Sequence, residues 1–283
     1  MTATLDLPSG VSTMDSVESF GEPHFEEDTV GSLEPTQDES AKRFAADGSP
    51  QEWFLAELAA ASDRLEAATP EEIVRYAVEK FREGLTMATA FGPEGCVILQ
   101  MLSEIAPQTR VFNLDTGYQF QETLDLRDRI AEKYGVHVEL LQPELSVEAY
   151  ERRHGGPLYK TNPTQCCADR KIAILKRGIA GKTAWMSAIR RDQSPFRAGA
   201  PIVGWDKKFG LVKINPLANW TKKDVWRRIL EQNVPYNPLH DQGYPSIGCW
   251  PCTRAVLEGE DDRAGRWSGF AKTECGLHVA EGE

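Results

Sequence analysis

Short apolar segments alternate with amphipathic helical segments through the middle of this 283-residue chain. Segments 85–90, 110–114 and 136–140 have the length and apolar content of buried strands, and helical patterns over 96–105 and 120–134 separate them. Strands joined by helices form parallel sheets with right-handed crossovers. The sequence therefore predicts an α/β fold, in which a parallel sheet is flanked by helices.

Further elements are expected downstream of this alternation. The apolar patterns predict helices over 166–177 and from Thr221 to about residue 231, and strands over 183–189 and 211–214. From residue 233 onward, prolines, glycines and polar residues predominate. We therefore predict a loop-rich C-terminal segment after the last helix.

The negative charge of the chain is concentrated near its N-terminus. Residues 1–50 contain 11 acidic residues against Lys42 and Arg43, whereas the remainder holds 32 acidic and 30 basic residues. With little apolar periodicity, residues 1–49 are predicted to be a disordered acidic tail. We expect an α/β domain over 50–262 and a mobile C-terminal arm over 263–283.

Two broad classes of protein are disfavoured by composition. Apolar stretches end well before the roughly 20 residues that span a bilayer, and the N-terminal segment is acidic, unlike a secretory signal. A strongly basic face for nucleic acid is also missing from the near-neutral remainder of the sequence. We therefore expect a cytoplasmic protein with neither a membrane nor a nucleic-acid partner.

Four of the six cysteines are grouped as a vicinal pair, Cys166-Cys167, and a Cys-x-x-Cys, Cys249-Trp250-Pro251-Cys252. In a cytosolic chain such cysteines are more often ligands or nucleophiles than disulfides. Four thiolates suit an iron–sulfur cluster or a structural zinc ion, and the third interpretation is a redox Cys-x-x-Cys beside an unrelated buried pair. Adjacent cysteines on a helix diverge by about 100°, which favours the corners of an iron cube. Spacing alone leaves all three interpretations open.

The other two cysteines differ in context. Cys96 lies in an apolar helix pattern and is predicted to be a core residue. Cys275 lies in the polar segment 272–278 near the C-terminus, where a mobile arm could carry a thiol between a substrate and a reductant. From the residues alone, an incidental tail thiol is the alternative.

A nucleotide or anion site is predicted where the strands end. Ligands of parallel sheets bind at the carboxyl ends of strands, where loops 89–95 and 115–117 are expected. Lys171 follows Cys167 by four residues, which places a cation on the same helical face as that thiol. Guanidinium groups match phosphate and sulfate oxygens, and six arginines are candidates: Arg170, Arg190, Arg191, Arg197, Arg263 and Arg266.

Several segments occur together in an informative combination: Cys166-Cys167, Cys249-Trp250-Pro251-Cys252, Arg263-Ala-Gly-Arg266, Glu274-Cys275-Gly276-Leu277-His278, Leu114-Asp115-Thr116-Gly117, Ile189-Arg190-Arg191-Asp192-Gln193-Ser194 and Asn237-Pro238-Leu239-His240-Asp241. This combination closely resembles the assimilatory adenylyl-sulfate reductases of bacteria and plants, over roughly residues 70–278. The resemblance implies an adenine nucleotide α-hydrolase-like fold, related to ATP pyrophosphatases. That fold agrees with the parallel α/β architecture predicted from the apolar pattern.

The resemblance also implies a reaction. The Cys275 thiolate would attack the sulfur of adenosine 5′-phosphosulfate, release AMP and carry the S-sulfonate, and thioredoxin or glutaredoxin would then release sulfite. It implies a 4Fe-4S cluster held by four residues, Cys166, Cys167, Cys249 and Cys252. The phosphosulfate would be bound by Lys171, Arg197, Arg263 and Arg266. The adenosine would be held by loops containing Thr89, Gly92, Leu114, Asp115, Thr116 and Gly117.

Three alternative functions would require other features of the sequence. The segment Gly92-Pro93-Glu94-Gly95-Cys96 lacks the Ser-Gly-Gly-x-Asp-Ser phosphate loop of the pyrophosphatases, which disfavours a tRNA sulfurtransferase of the same fold. Relatives that use the 3′-phosphorylated nucleotide typically lack the four grouped cysteines, so the unphosphorylated nucleotide is favoured over the 3′-phosphorylated one or a dual specificity. A non-catalytic metal-binding module, in which Cys275 is dispensable, is the remaining alternative. The choice of reductant and the oligomeric state, homo-oligomers included, stay open.

Overall fold

A computed structural model describes residues 43–272 and Glu274. Six strands form one sheet in the order β3-β2-β1-β4-β6-β5. All neighbouring pairs are parallel except β5 and β6, which are antiparallel. The strands are β1 Leu85–Thr89, β2 Arg110–Leu114, β3 Val138–Leu141, β4 Ala184–Met186, β5 Val203–Asp206 and β6 Leu211–Ile214. The predicted α/β fold is confirmed, with one antiparallel strand at its edge.

Eight α-helices surround the sheet in the described part of the chain. They are α1 Glu52–Arg64, α2 Pro70–Phe81, α3 Pro93–Ile105, α4 Gln121–Tyr134, α5 Val147–His154, α6 Pro163–Cys167, α7 Ala173–Gly178 and α8 Lys222–Glu231. A π-helical turn, Ala168–Ile172, joins α6 to α7. None of the described helices is long and apolar enough to cross a membrane.

Alternating side chains of the strands pack into two separate cores. Met87 and Val111 join the core that contains residues of α1 to α4 and α8. Phe112, Leu114 and Trp185 point to the other face, where residues of α7 complete a second core. Because successive side chains of a strand alternate between faces, both faces of the sheet are buried. The strands therefore expose mainly their ends, and the carboxyl ends are where a ligand can bind.

Helix boundaries follow signals that the sequence contains. Thr69 caps α2 in a capping box with Glu72, and Thr221 does the same for α8 with Asp224. Gly135 ends α4 with a φ of 65°, a left-handed conformation that glycine adopts at little cost. The end of α4 and the start of α8 agree with the predicted elements.

Two predicted boundaries are wrong, and two elements are not predicted. The helix predicted over 96–105 begins at Pro93, because Gly92 is its N-cap and proline occupies the first turn, so the segment expected as a turn is partly helical. The strand predicted over 183–189 is only three residues long. Strand β5 was not predicted, since its extended conformation depends on pairing with β6. Helix α5 was also missed.

The chain beyond Glu231 contains, as far as it is described, only short 3₁₀ helices, Pro238–Gln242 and Trp250–Cys252. An isolated antiparallel bridge pairs Thr253 with Arg266. The predicted loop-rich C-terminal segment is confirmed. We call residues 233–272 with Glu274 the C-terminal segment.

Two predicted regions lie largely or wholly outside the described residues. Of the predicted acidic tail, only 43–49 is described, and Phe44 packs against Trp205 with 5.6 Å between ring centroids. Cys275 and the motif residues after it also lie outside. The domain boundaries at 49 and 262 stay predictions.

Candidate active site

A cavity of about 380 Å³ opens at the carboxyl ends of β1, β2 and β4. The chain passes from β1 to β2 on one side, whereas β4 pairs with β1 on the other side. Thr89, Leu114 and Ser187, which end or follow these three strands, line the cavity. Such a reversal of strand order is the usual position of a ligand in an open α/β sheet.

The loop after β1 is shaped by Thr89. Its Oγ1 accepts a hydrogen bond from the Phe91 backbone N–H at 3.0 Å, and Phe91 adopts a φ of 55°. A Cβ on Gly95 would lie 2.8 Å from the same Oγ1, so glycine permits this close approach. Thr89 and Gly92 both line the cavity, as the predicted nucleotide loop requires.

The loop after β2 contributes only part of its predicted set. Leu114 and Thr116 line the cavity, whereas Asp115 and Gly117 do not. Asp115 accepts hydrogen bonds from the Gly117 backbone N–H at 2.9 Å and from Gln142 Nε2 at 2.8 Å. Gly117 has a φ of 77°. These two residues therefore shape the loop, and their contact with adenosine stays a prediction.

All four cationic residues predicted to bind the phosphosulfate line this cavity: Lys171, Arg197, Arg263 and Arg266. They come from the π-helical turn, from a short 3₁₀ helix after β4 and from the C-terminal segment. Cations from distant parts of the sequence thus line one cavity, in which an anionic group could bind.

The Arg266 guanidinium is held in place by its own segment. Its Nη1 donates to Ser246 Oγ at 3.2 Å and to the Ile247 carbonyl at 3.3 Å, and the group lies 4.5 Å from the Trp267 ring centroid. A Cβ on Gly248 would lie 2.2 Å from Arg266 Nη2, so the guanidinium would have to leave this position if residue 248 carried a side chain.

Glu274 is a feature of this site that the residue types alone did not single out. Its Oε2 accepts from Arg197 Nη2 and from Arg263 Nη2, at 3.0 Å in both cases. Its Oε1 lies 3.4 Å from the Ser194 hydroxyl. The signal available in the sequence was its position beside Cys275.

The remaining candidate arginines have other partners. Arg170 is buried, donates to the backbone carbonyls of Thr116 and Leu145, and does not line the cavity. Arg191 pairs with Glu66, also away from the cavity. Arg190 does line it, but its Nε donates to Glu94 Oε1 at 2.9 Å, and the same guanidinium pairs with Asp192.

The four grouped cysteines line a second, smaller cavity of about 20 Å³, which Lys171 and Arg266 also border. Cys166 and Cys167 end α6, which Asn162 caps by accepting from the Gln165 N–H. Cys249 and Cys252 flank a 3₁₀ turn that is fixed by a 2.8 Å hydrogen bond from the Trp250 N–H to the Tyr118 carbonyl. The predicted convergence of the two cysteine pairs is therefore present.

Burial and the neighbouring cysteines raise the pKa of two of these thiols. Burial, followed by the neighbouring cysteines Cys167, Cys249 and Cys252, raises the pKa of Cys166 to about 12. Burial and its cysteine neighbours raise the pKa of Cys252 to about 11, opposed by Arg266 and Lys171. Both shifts disfavour the thiolate, which is the form in which a cysteine binds a metal, so metal binding at these two residues would release protons.

The described cysteines form no disulfide. Among the described residues, no group of three or more His, Cys, Asp or Glu side chains is arranged to hold a metal ion. Sulfur ligands around one zinc ion lie about 3.8 Å apart, given Zn–S bonds of about 2.3 Å.

Cys96 lies apart from these four cysteines. It is fully buried in the core of the sheet, as predicted, and burial raises the pKa of its thiol.

Comparison with known proteins agrees with this geometry. The family model for the phosphoadenosine phosphosulfate reductase domain matches residues 84–255. The phosphoadenosine 5′-phosphosulfate reductase of Gloeobacter violaceus is 47% identical over 217 residues, which cover 76% of this chain and 90% of that protein. The adenosine 5′-phosphosulfate reductase of Salinibacter ruber is 43% identical over 238 residues, covering 84% and 94%.

A solved structure extends the likeness to the fold. The crystal structure of phosphoadenylyl-sulfate reductase from Candida auris, a phosphate complex, superimposes with a TM-score of 0.64 at 32% identity. The match covers 74% of this chain and 98% of that one. By sequence and by fold, the chain belongs to the phosphoadenosine phosphosulfate reductase family.

Proposed function

We propose that this protein reduces adenosine 5′-phosphosulfate to sulfite and AMP, with Cys275 as nucleophile and thioredoxin or glutaredoxin as reductant. The observation that carries the proposal is the convergence of Lys171, Arg197, Arg263 and Arg266 on one cavity at the strand ends. Membership of the family makes the chain an oxidoreductase acting on a sulfur group, and relatives are named as reductases of this nucleotide. The reaction belongs to assimilatory sulfate reduction and cysteine biosynthesis in the cytoplasm.

The strand ends are suited to the nucleoside, and the cations to the phosphosulfate. Thr89, Gly92, Leu114 and Thr116 border the part of the cavity formed by the sheet. The four cations line the same cavity, and two of them, Arg263 and Arg266, come from the C-terminal segment. An adenine nucleotide placed along this cavity would present its anionic group to the guanidinium groups, which match phosphate and sulfate oxygens.

The chemistry is a thiol substitution at sulfur. The Cys275 thiolate forms a bond to the sulfur of the substrate, the bond from that sulfur to the phosphate oxygen breaks, and AMP leaves with the bonding electrons. Neighbouring cations favour the thiolate and stabilise the charge that develops on the departing phosphate. A dithiol reductant then attacks the Cys275 sulfur, releases sulfite and resolves the mixed disulfide, which supplies the two electrons.

We further propose that Cys166, Cys167, Cys249 and Cys252 hold a 4Fe-4S cluster. The donor set fits, since four thiols from two segments line one cavity beside Lys171 and Arg266. Each iron of a cube binds its own thiolate, so the ligands need not crowd around one ion as they would for zinc. When bound, the cluster would supply a local charge that tunes the site electrostatically, because thiol substitution needs no one-electron step.

The 3′-phosphorylated nucleotide is the second candidate substrate, since the relative from Gloeobacter violaceus is named for it. Sulfite release from each nucleotide, measured side by side with thioredoxin, decides between the two and detects dual specificity. A tRNA sulfurtransferase is not favoured, because the sequence after residue 50 is nearly neutral in charge and the loop after β1 lacks a pyrophosphate-binding motif.

The test of the nucleophile uses substrate without reductant. We expect one sulfonate on Cys275 and one AMP released per chain, followed by sulfite when thioredoxin is added. Cys275→Ser should bind nucleotide but form neither adduct nor sulfite, whereas Cys96→Ala, which alters only a core thiol, should still form the adduct. Mass spectrometry that finds the sulfonate on another residue would overturn the assignment.

The test of the cluster is anaerobic purification with metal and sulfide analysis. We expect iron and sulfide in equal amounts, at four of each per chain, and a Cys252→Ser variant that loses both its colour and its activity. A colourless, active protein with one zinc ion per chain would contradict the proposal.

A further inference from the structure

Glu274 is buried although it lies at the end of the described chain, with 6% of its side chain exposed. Its Oε2 is shared between Arg197 and Arg263 at 3.0 Å each. Ser194 lies within 3.4 Å of the other carboxylate oxygen. A buried carboxylate requires such partners, and this one receives them from two cations at once.

The carboxylate contacts the arginines from outside the cavity. Of the described residues, Arg197 and Arg263 line the cavity, whereas Glu274 and Ser194 do not. Arg197 donates to Glu274 through Nη2 and to Gln193 through Nη1, so the carboxylate takes up only part of the donor capacity of this guanidinium. Glu274 therefore holds the two arginines without occupying the space of an anionic ligand.

The arrangement also balances charge. Two guanidinium groups that share one small region repel each other, and one carboxylate between them offsets that repulsion while leaving a net positive charge. An aligned guanidinium pair is what a phosphate or sulfate group requires. Loss of the carboxylate should therefore disturb the alignment of both arginines.

We propose that Glu274 is a positioning residue for the reaction. It aligns Arg197 and Arg263 for the substrate anion, and its ion pairs fix the chain at the residue that precedes Cys275. The same two guanidinium groups thereby set the position of the substrate anion and of the chain next to the nucleophile. This inference rests on the proposed function.

The decisive variant is Glu274→Gln, which keeps the shape of the side chain and removes its charge. We expect the single-turnover rate of Cys275 sulfonation at saturating substrate to fall at least tenfold, with KM changed less than threefold. Glu274→Asp, which keeps the charge on a shorter side chain, should have an intermediate rate. Glu258→Gln is the matched control, since Glu258 is exposed in the same segment, and its rate should equal that of wild type.

A double-mutant comparison distinguishes a positioning role of Glu274 from a purely structural one. Because Glu274 acts through both arginines, Glu274→Gln should slow the reaction by a smaller factor in an Arg263→Gln background than in the wild-type protein. Defects that multiply would overturn the inference. AMP binding and thermal unfolding establish that each variant is folded, and a Glu274→Asp rate equal to wild type contradicts the inference even if the Gln variant fails to fold.

Two further outcomes are informative. A faster Glu274→Gln enzyme would mean that the carboxylate competes with the substrate, and an unchanged rate would mean that it positions nothing; both reject the inference. Failure of the proposed function is seen separately, because wild-type protein would then form no adduct with either sulfonucleotide.

Discussion

The sheet and the C-terminal segment border the same cavity but are stabilised in different ways. The sheet has continuous ladders and two apolar cores. The C-terminal segment, as described, relies on short turns and on side-chain contacts such as those of Arg266 and Glu274. The comparison suggests that changes in the sheet alter stability first, whereas changes in the C-terminal segment alter catalysis first.

The largest expected effect is on catalysis, at the junction of the two regions. Lys171 borders both cavities, and a cation that stabilises charge in a closed site contributes about 3–4 kcal/mol. We expect Lys171→Ala to lower kcat/KM by about 100-fold or more without a change in thermal stability. A loss of less than roughly fivefold, or about 1 kcal/mol, would place Lys171 among exposed charges instead.

The second prediction isolates the C-terminal segment. Gly248→Ala places a Cβ against the Arg266 guanidinium, so that cation must move. We expect a loss of kcat/KM of about tenfold, or 1.4 kcal/mol of transition-state stabilisation, with a nearly unchanged melting temperature. Gly199→Ala, whose Cβ meets no atom within 4 Å, is the control. Equal activity of the two variants would show that the Arg266 position is not critical.

The third prediction isolates the sheet. A Cβ on Gly178 would lie 2.4 Å from the ring of Phe112, in the second core. Overpacking of this kind costs about 1–3 kcal/mol. Chemical denaturation of Gly178→Ala should show that loss, while the activity per folded molecule stays near that of wild type. A large loss of activity in the folded protein would break the proposed division between the two regions.

The smallest effect is a pH dependence at the edge of the cavity. Burial lowers the pKa of His240 below its usual value, against opposing effects of Glu94, the Tyr244 backbone and Asp241. The folded state therefore favours the neutral ring, and the unfolded state binds more protons as the pH falls below 6.5. Wild-type stability should decrease over that range more than that of His240→Gln. Parallel pH profiles of the two melting temperatures would contradict this prediction.

The sequence predicted most of the sheet because its strands have local signals. Apolar runs bounded by capping residues and glycines define β1, β2 and α4, and these elements lie where expected. Strand β5 has no such signal, since its partner β6 determines its conformation. The start of α3 was misplaced because proline and glycine were interpreted as a turn, although proline also suits a first helical turn.

The sequence predicts which cysteines and cations form the candidate site, but not the roles of all the residues around them. The cysteine pairs and the four cations were identified from their spacing and from the resemblance, and they border adjoining cavities. From the sequence alone, Asp115 and Arg170 cannot be distinguished from residues that bind a ligand. Their actual partners, Gln142 and the Thr116 carbonyl, are brought to them only by tertiary contacts. The role of Glu274 depends likewise on two arginines that are distant in the sequence.

The cysteine pairs also bear on how the protein is made. Cys166 and Cys167 are synthesised before β4, β6 and α8, and Cys249 and Cys252 only after them. During vectorial synthesis the sheet can therefore be complete while half of the thiols that border the smaller cavity have not yet left the ribosome. A metal centre shared by all four thiols can be completed only after Cys252 has been synthesised, so its loading reports on chains translated beyond every strand of the sheet.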